Sequence, residues 1–329
     1  MGHVRRRQFL AATGALLATS LARAQQSAKV KRIGLLGTTS DSPTVQRLWG
    51  AIREDMAALG WIEGKHYDRI DRWAQGDLTR LPALARELVA LRPDAIFVGV
   101  TEAVPPAMGA TRTIPIVAVA IADPVGAGFV KSLARPGVNL TGTTHAYPEL
   151  NAKRMEFLKE ALPTVSRVAL LGLAEGVSHD KSIAHAESAA KVLGLALTTI
   201  SIARPQDFES AFEAMRAFRA DAVLIIPSAF MFVHRVALAD FALRNRLPSI
   251  WNFASQAEAG GLIAYGPDLT AMWRRSAHYF DRIFRGARAE NLPFERPSKF
   301  ELAVNLRTAR TLGLAIQKSV LLRADRVIE

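Results

Sequence analysis

Six short apolar runs, spaced along the chain and separated by amphipathic stretches, constrain the fold more than any other feature. Ile33-Gly34-Leu35-Leu36 is the first, and residues 95–100, 116–120, 168–171, 195–200 and 222–226 are the others. None alternates polar with apolar, so each reads as a strand covered on both faces, the pattern of a parallel sheet. The intervening stretches carry helix-period stripes. Val45, Leu48, Trp49, Ile52, Met56 and Leu59 share one face, as do Leu81, Leu84, Ala85 and Leu88. Phe208, Phe212, Met215 and Phe218 make a third stripe, opened by Asp207. Trp273, Ala277, Phe280 and Phe284 make a fourth, opened by Asp268 and closed at Gly286. Acidic caps and a terminal glycine are the helix punctuation expected there. Strand–helix–strand repetition predicts an α/β protein with right-handed crossovers.

The rhythm also repeats at long range. Lys31-Arg32-Ile33-Gly34-Leu35-Leu36-Gly37 is echoed by Ser166-Arg167-Val168-Ala169-Leu170-Leu171-Gly172, and each leads through a polar loop into a helix. Two open sheets of similar size are expected, each with ligand-ready loops beyond the carboxyl ends of its strands.

The first 24 residues read as separate from this fold. Arg5, Arg6 and Arg7 form a basic start, a short, mostly apolar or small stretch follows, and Ala22-Arg23-Ala24 is a small-x-small cleavage site. This is the layout of a secretory signal. Arg6-Arg7-Gln8-Phe9-Leu10 resembles the twin-arginine export motif; the other reading is a general secretory signal rich in arginine. Either way the chain is expected outside the cytoplasm, in the periplasm.

Cleavage after Ala24 takes away four arginines and no acid, lowering the net charge from +12 to +8. The remaining basic residues are scattered over helix faces without a dense run, so nucleic acid is not an expected partner. The chain has no cysteine, which excludes disulfides, thiol catalysis, cysteine-based metal sites and lipidation at the cleavage point. His179 and His185 are six apart, off the i,i+4 spacing of paired helical metal ligands. Nucleophile-elbow, Walker and dinucleotide motifs are missing. No catalytic residue, metal or cofactor is expected from these patterns.

Three dense segments resemble the substrate-binding proteins of ABC transporters, in the group that includes tryptophan- and tyrosine-binding receptors. The first contains Asp123-Pro124-Val125 and Lys131-Ser132-Leu133-Ala134-Arg135-Pro136-Gly137-Val138-Asn139-Leu140-Thr141-Gly142. The second is Gly260-Gly261-Leu262-Ile263-Ala264-Tyr265-Gly266-Pro267. The third runs from Ile283-Phe284-Arg285-Gly286 to Phe300-Glu301-Leu302-Ala303-Val304-Asn305 and the C-terminal residues. The resemblance implies a type I periplasmic-binding fold: two Rossmann-like lobes joined by three crossings near 142–147, 252–258 and 291–297. The N-lobe would hold about 28–143 plus 258–290, and the C-lobe 146–252 plus 298–329. It also implies a monomer that closes on a small organic solute, an amino acid or small carboxylate, and serves an inner-membrane ABC permease. A sensory receptor uncoupled from transport and an α/β enzyme on a small metabolite are the alternatives.

Strand-end loops supply the candidate ligand residues. Thr38, Thr39 and Ser40 follow the first run and could hold a carboxylate at a helix start or simply cap that helix. Thr101 and Glu102 follow residues 95–100; Glu102 departs from the small or neutral residues of the family and either meets a ligand ammonium or is an exposed loop acid. Asp123 either binds ligand or caps a helix begun at Pro124. Thr143 and Thr144 border the first crossing. Glu175, Ser178, Ser228 and Asn252 come from the second lobe, and the loop around Glu175 also departs from the family. Tyr265, with Tyr147 and Trp251, could stack on an aromatic solute or pack in the core.

Overall fold

The computed structural model describes residues 29–145, 147–173 and 179–329. The export segment read at residues 1–24 lies outside them, as do Glu175 and Ser178. The first sheet contains β1 (Lys31–Gly37), β2 (Tyr67–Trp73), β3 (Ala95–Val98), β4 (Ile116–Ala122) and β5 (Leu140–His145), with α1 (Pro43–Ala58), α2 (Leu81–Ala90) and α3 (Val104–Ala110) between strands. Its order is β2-β1-β3-β4-β5, parallel throughout.

The chain then crosses into α4 (Tyr147–Ala161), β6 (Arg167–Leu173), α5 (His179–Leu193), β7 (Ala196–Ile202), α6 (Phe208–Phe218) and β8 (Ala222–Ile225). Next come α7 (Ala229–Val233), α8 (Arg235–Arg244), β9 (Ser249–Trp251), α9 (Ala254–Glu258), β10 (Ile263–Pro267) and α10 (Leu269–Phe284). The chain ends with β11 (Phe300–Asn305), α11 (Leu306–Leu312), α12 (Lys318–Arg323) and β12 (Arg326–Ile328). The second sheet has the order β12-β11-β10-β9-β8-β6-β7, with the β10–β11 pair antiparallel. The segments that echo each other in sequence, at 31–37 and 166–172, are β1 and β6. They hold equivalent places, since β2-β1-β3-β4-β5 and β7-β6-β8-β9-β10 have one order.

Period-2 alternation sends successive side chains to opposite faces. Ile33, Leu35, Phe97 and Val117 pack with Trp49, Ile52 and Met56 of α1 and with Trp273 and Phe280 of α10. Leu36, Ile96, Val98 and Ile121 pack with Leu81, Leu84 and Leu88 of α2 on the other face. The second lobe repeats the arrangement: Leu170, Leu224 and Ile250 meet Met155 and Leu158 of α4, and Leu171, Val223 and Ile225 meet Phe208, Phe212 and Leu238. Each such side chain contributes about 1.5–3 kcal/mol of transfer free energy. The molecule is thus two parallel-sheet α/β lobes flanked by helices.

The structure redraws several local expectations. Segment 252–258 is not a crossing; it carries α9, and β10 after it pairs with β9 and β11 in the second sheet. The crossing comes at Pro267–Asp268, where Asp268 Oδ1 accepts the Ala271 N–H at 3.0 Å and starts α10 at once. Residues 258–267 therefore belong to the second lobe, while α10 packs on α1 and β4 of the first. β7 is a sheet edge, with several side chains toward solvent, rather than a strand covered on both faces. No helix begins at Pro124: Asp123 sits at φ +30° and accepts the Gly126 N–H at 2.9 Å, closing a turn. Asp207 caps the short 3-10 turn before α6, accepting the N–H groups of Ala203 and Arg204.

β5 and the third crossing run side by side. Glu295 N–H donates to Gly142 O at 2.9 Å, and Thr144 N–H donates to Glu295 O at 2.9 Å. Arg275 of α10 holds the Glu295 carboxylate with two bonds, of 2.6 and 2.7 Å. Gly142 is required there. Its φ is +145°, and a Cβ would stand 1.7 Å from the Ala118 carbonyl oxygen, so backbone excludes every other residue.

Candidate functional site

The carboxyl ends of the two sheets face each other across a cavity of about 480 Å³. Every strand-end loop on the first lobe's side reaches it: Trp73 ends β2, Thr38 and Thr39 follow β1, Thr101 and Glu102 follow β3, Ala122 ends β4 and His145 ends β5. Leu173, at the end of β6, Ser228 and Ala229, after β8, and Phe253, after β9, close it from the second lobe. This is where an open α/β sheet places its ligand. The walls are mainly apolar, and the Phe97 and Trp273 rings in the lining meet edge to face at 4.9 Å, with Trp49 behind them in the core, 5.7 Å from Phe97.

Contacts across the cleft bring the lobes together. Ala229 N–H donates to Glu102 Oε1 at 3.2 Å. Arg235 of α8 donates to Thr44 Oγ1 of α1 at 3.1 Å. Lys181 of α5 pairs with Asp123 at 2.7 Å. These are exposed or partly exposed bonds, each worth about 1 kcal/mol or less.

Thr38, Thr39, Thr101, Glu102 and Ser228 all line the cavity. Besides the Glu102 bond, Thr101 Oγ1 accepts the Ala122 N–H at 2.9 Å, Ser228 Oγ caps α7 by accepting the Met231 N–H at 3.1 Å, and Thr39 Oγ1 donates to Ser40 O at 3.5 Å. The other expected residues lie elsewhere. Ser40 is exposed beside the cavity lining, and its carbonyl accepts the Ser42 N–H. Asp123 is engaged with Lys181. Thr143 Oγ1 accepts the Ala120 N–H, and Thr144 Oγ1 donates to Ile121 O at 2.7 Å, so both serve the irregular β4–β5 pairing. Asn252 is buried at the end of β9, outside the lining. Tyr265 packs against Phe157 at 4.7 Å and Phe300 at 6.1 Å within the second lobe. Trp251 is fully buried, with Nε1 donating to Ser249 Oγ.

Trp273, Phe232, Phe253 and His145 are among the lining residues that the sequence did not point to. Trp273 belongs to a stripe that reads as core, and it is both core and cavity floor. Phe232 and Phe253 meet across the cavity wall at 6.0 Å from segments twenty residues apart. His145 ends a polar strand that carries no apolar run to announce it. Its one legible signal is the place of β5 beside β4, known only once the sheet is assembled.

Burial pushes the Glu102 carboxyl above the ordinary glutamate range, and its hydrogen bonds from its own N–H and that of Ala229 offset only part of this. Burial holds the His145 imidazole well below its usual value, and the positive charge of Arg154 adds to the effect. Burial alone would raise Asp123; bonds from Lys181 and the Gly126 N–H outweigh it and keep the group an anion. His145 is therefore neutral in the fold at neutral pH and takes a proton in the unfolded chain below about pH 6.5. Its contribution to stability is full above that value and is lost as pH falls, by up to about 1.4 kcal/mol per pH unit for one proton. Thermal melts of the parent and His145→Asn between pH 7.5 and 5 check this. The parent's melting temperature should fall more steeply below pH 6.5 than the variant's.

The family described as ABC transporter substrate binding protein matches residues 39–328. A tyrosine-binding protein of Clostridioides difficile is 23% identical over 289 residues, 88% of this chain and 82% of that one. A solved conserved domain protein of Vibrio cholerae is 25% identical with a TM-score of 0.84, covering 91% of this chain and 100% of its own. An ABC domain of Streptococcus pneumoniae, solved in complex with L-Trp, is 23% identical with a TM-score of 0.84 over the same shares. The family match takes in the second sheet, all of the first but β1, and most of the cavity lining, and the chain belongs to the ABC transporter substrate binding protein family.

Proposed function

We propose that this protein is the solute-binding component of an ABC-type importer and closes on a small organic solute with an apolar, aromatic body, of the amino-acid class. The observation that carries this is the cavity between the lobes. It measures about 480 Å³, within the size range of small-molecule sites, and combines apolar walls with a few convergent polar groups. The names of two relatives, one tyrosine-binding and one solved with L-Trp, support the aromatic class.

Mechanism follows from the two lobes. Solute held by Thr38, Thr39 and Glu102 on one side and Ser228 and Phe253 on the other favours the closed arrangement over the open one. An inner-membrane permease reads the closed surface. The proposal places the protein outside the cytoplasm after removal of residues 1–24, and it contains no chemical step.

Thermal shift followed by calorimetry tests it, with L-tryptophan, L-tyrosine, L-phenylalanine and small carboxylates as probes. A bound solute at one hundred times its Kd should stabilise the protein by about 2.7 kcal/mol and raise the melting temperature. Silence across the aromatic amino acids would overturn the solute class, and turnover of any probe without an added partner would overturn the receptor reading.

A further inference from the structure

The charge inside the cavity is one-sided. Among the described residues that line it, Glu102 is the sole acid, and none is a lysine or arginine. The two cations that reach across the cleft are engaged: Lys181 with Asp123, and Arg235 with Thr44 Oγ1 and the Phe232 carbonyl. The polar bond described for Glu102 across the cleft is the neutral Ala229 N–H, at 3.2 Å near the long end for such a bond. A carboxylate enclosed by apolar and aromatic groups, with its own N–H and that of Ala229 as the hydrogen bonds described for it, is short of compensation. An anionic solute would add a second negative charge to the same enclosure. An ammonium would neutralise Glu102, gain from the low local dielectric, and lie in a cavity lined by the rings of Trp73, Phe97, Phe232 and Trp273.

Resting on the solute-binding reading above, we infer that recognition is through an ammonium group set against Glu102, with the solute's carboxylate dispensable. The solute class is then an aromatic amine, free or as an amino acid, and aromatic acids without an amine are excluded.

Three indole probes on the intact mature protein separate the cases: L-tryptophan, tryptamine and indole-3-propionate, each titrated by calorimetry against the parent and Glu102→Gln. Glutamine keeps an oxygen for the Ala229 N–H and removes only the charge, so a purely bridging role survives the change. The parent should bind tryptamine within about tenfold of L-tryptophan and indole-3-propionate at least about 30-fold more weakly. Glu102→Gln should lose tryptamine affinity by about 30-fold or more and narrow the gap to the acid. Equal binding of tryptamine and indole-3-propionate by the parent would overturn the inference, with or without a folded variant. So would unchanged tryptamine affinity in Glu102→Gln. Binding of L-tryptophan and the acid but not the amine would sink this inference and leave the solute-binding reading standing. Binding of none would sink both.

Discussion

Gly142→Ala should destabilise the protein by about 3–5 kcal/mol, combining a strained backbone region with a forced overlap. The alanine Cβ would stand 1.7 Å from Ala118 O and 2.8 Å from Ala118 N, at a φ of +145°. Relief requires β5 to move off β4, and Gly142 O is tied in place. It accepts the Glu295 N–H at 2.9 Å and lies 2.7 Å from the Tyr279 hydroxyl. Strain at this point therefore spreads into the third crossing. Against a total stability of about 5–15 kcal/mol, such a loss removes between about a fifth and all of the margin. Gly128→Ala is the comparison: φ there is +72° with nothing near the added Cβ, and the cost should be about 1 kcal/mol. Urea melts of the two variants check the ordering. Similar midpoints would show that β5 gives way easily.

Arg154→Ala should cost about 3–5 kcal/mol, from two buried acceptors deprived of a charged donor and the space the side chain leaves. Arg154 is fully buried in α4. Its Nε donates to Tyr265 O at 2.8 Å, and its Nη1 donates to Asn151 Oδ1 at 2.7 Å. The guanidinium thus fastens the first helix of the second lobe to β10. Alanine leaves both acceptors without that donor and opens a void; Arg154→Met fills much of the void and should recover part of the loss. Denaturant melts measure both. Removing the Arg154 charge should also let the His145 titration rise toward its usual range, since that charge helps to depress it. An unmoved His145 resonance in an NMR pH titration would show burial to be the whole cause.

Five of the six runs that the sequence announced are strands apolar on both faces, β1, β3, β4, β6 and β8; the sixth, β7, is a sheet edge with side chains toward solvent. β2, Tyr67-Asp68-Arg69-Ile70-Asp71-Arg72-Trp73, gives no such signal because a sheet-edge strand needs little apolar surface. β10 hides behind its Gly-Pro ending, and this displaced the expected second crossing to 252–258. The site was legible to the same degree. Thr38, Thr39, Thr101, Glu102 and Ser228 follow recognisable strands, and the rule for open sheets locates them. Thr143, Thr144, Asn252 and Tyr265 are near strand ends too, but side-chain direction decides whether such a residue faces the cleft, a neighbouring strand or the core.

The sequence by itself determined the α/β class, the two-lobe repeat and which strand-end loops carry polar groups, because hydrophobic periodicity is a local property of the chain. Only the tertiary structure decided what shares the cavity. Glu102 meets the Ala229 N–H 127 positions away, and Trp273 comes back from the far side of the second lobe to floor a cavity begun at Thr38. Those meetings depend on two sheets closing face to face, and no local pattern encodes which side chains the closure will bring together.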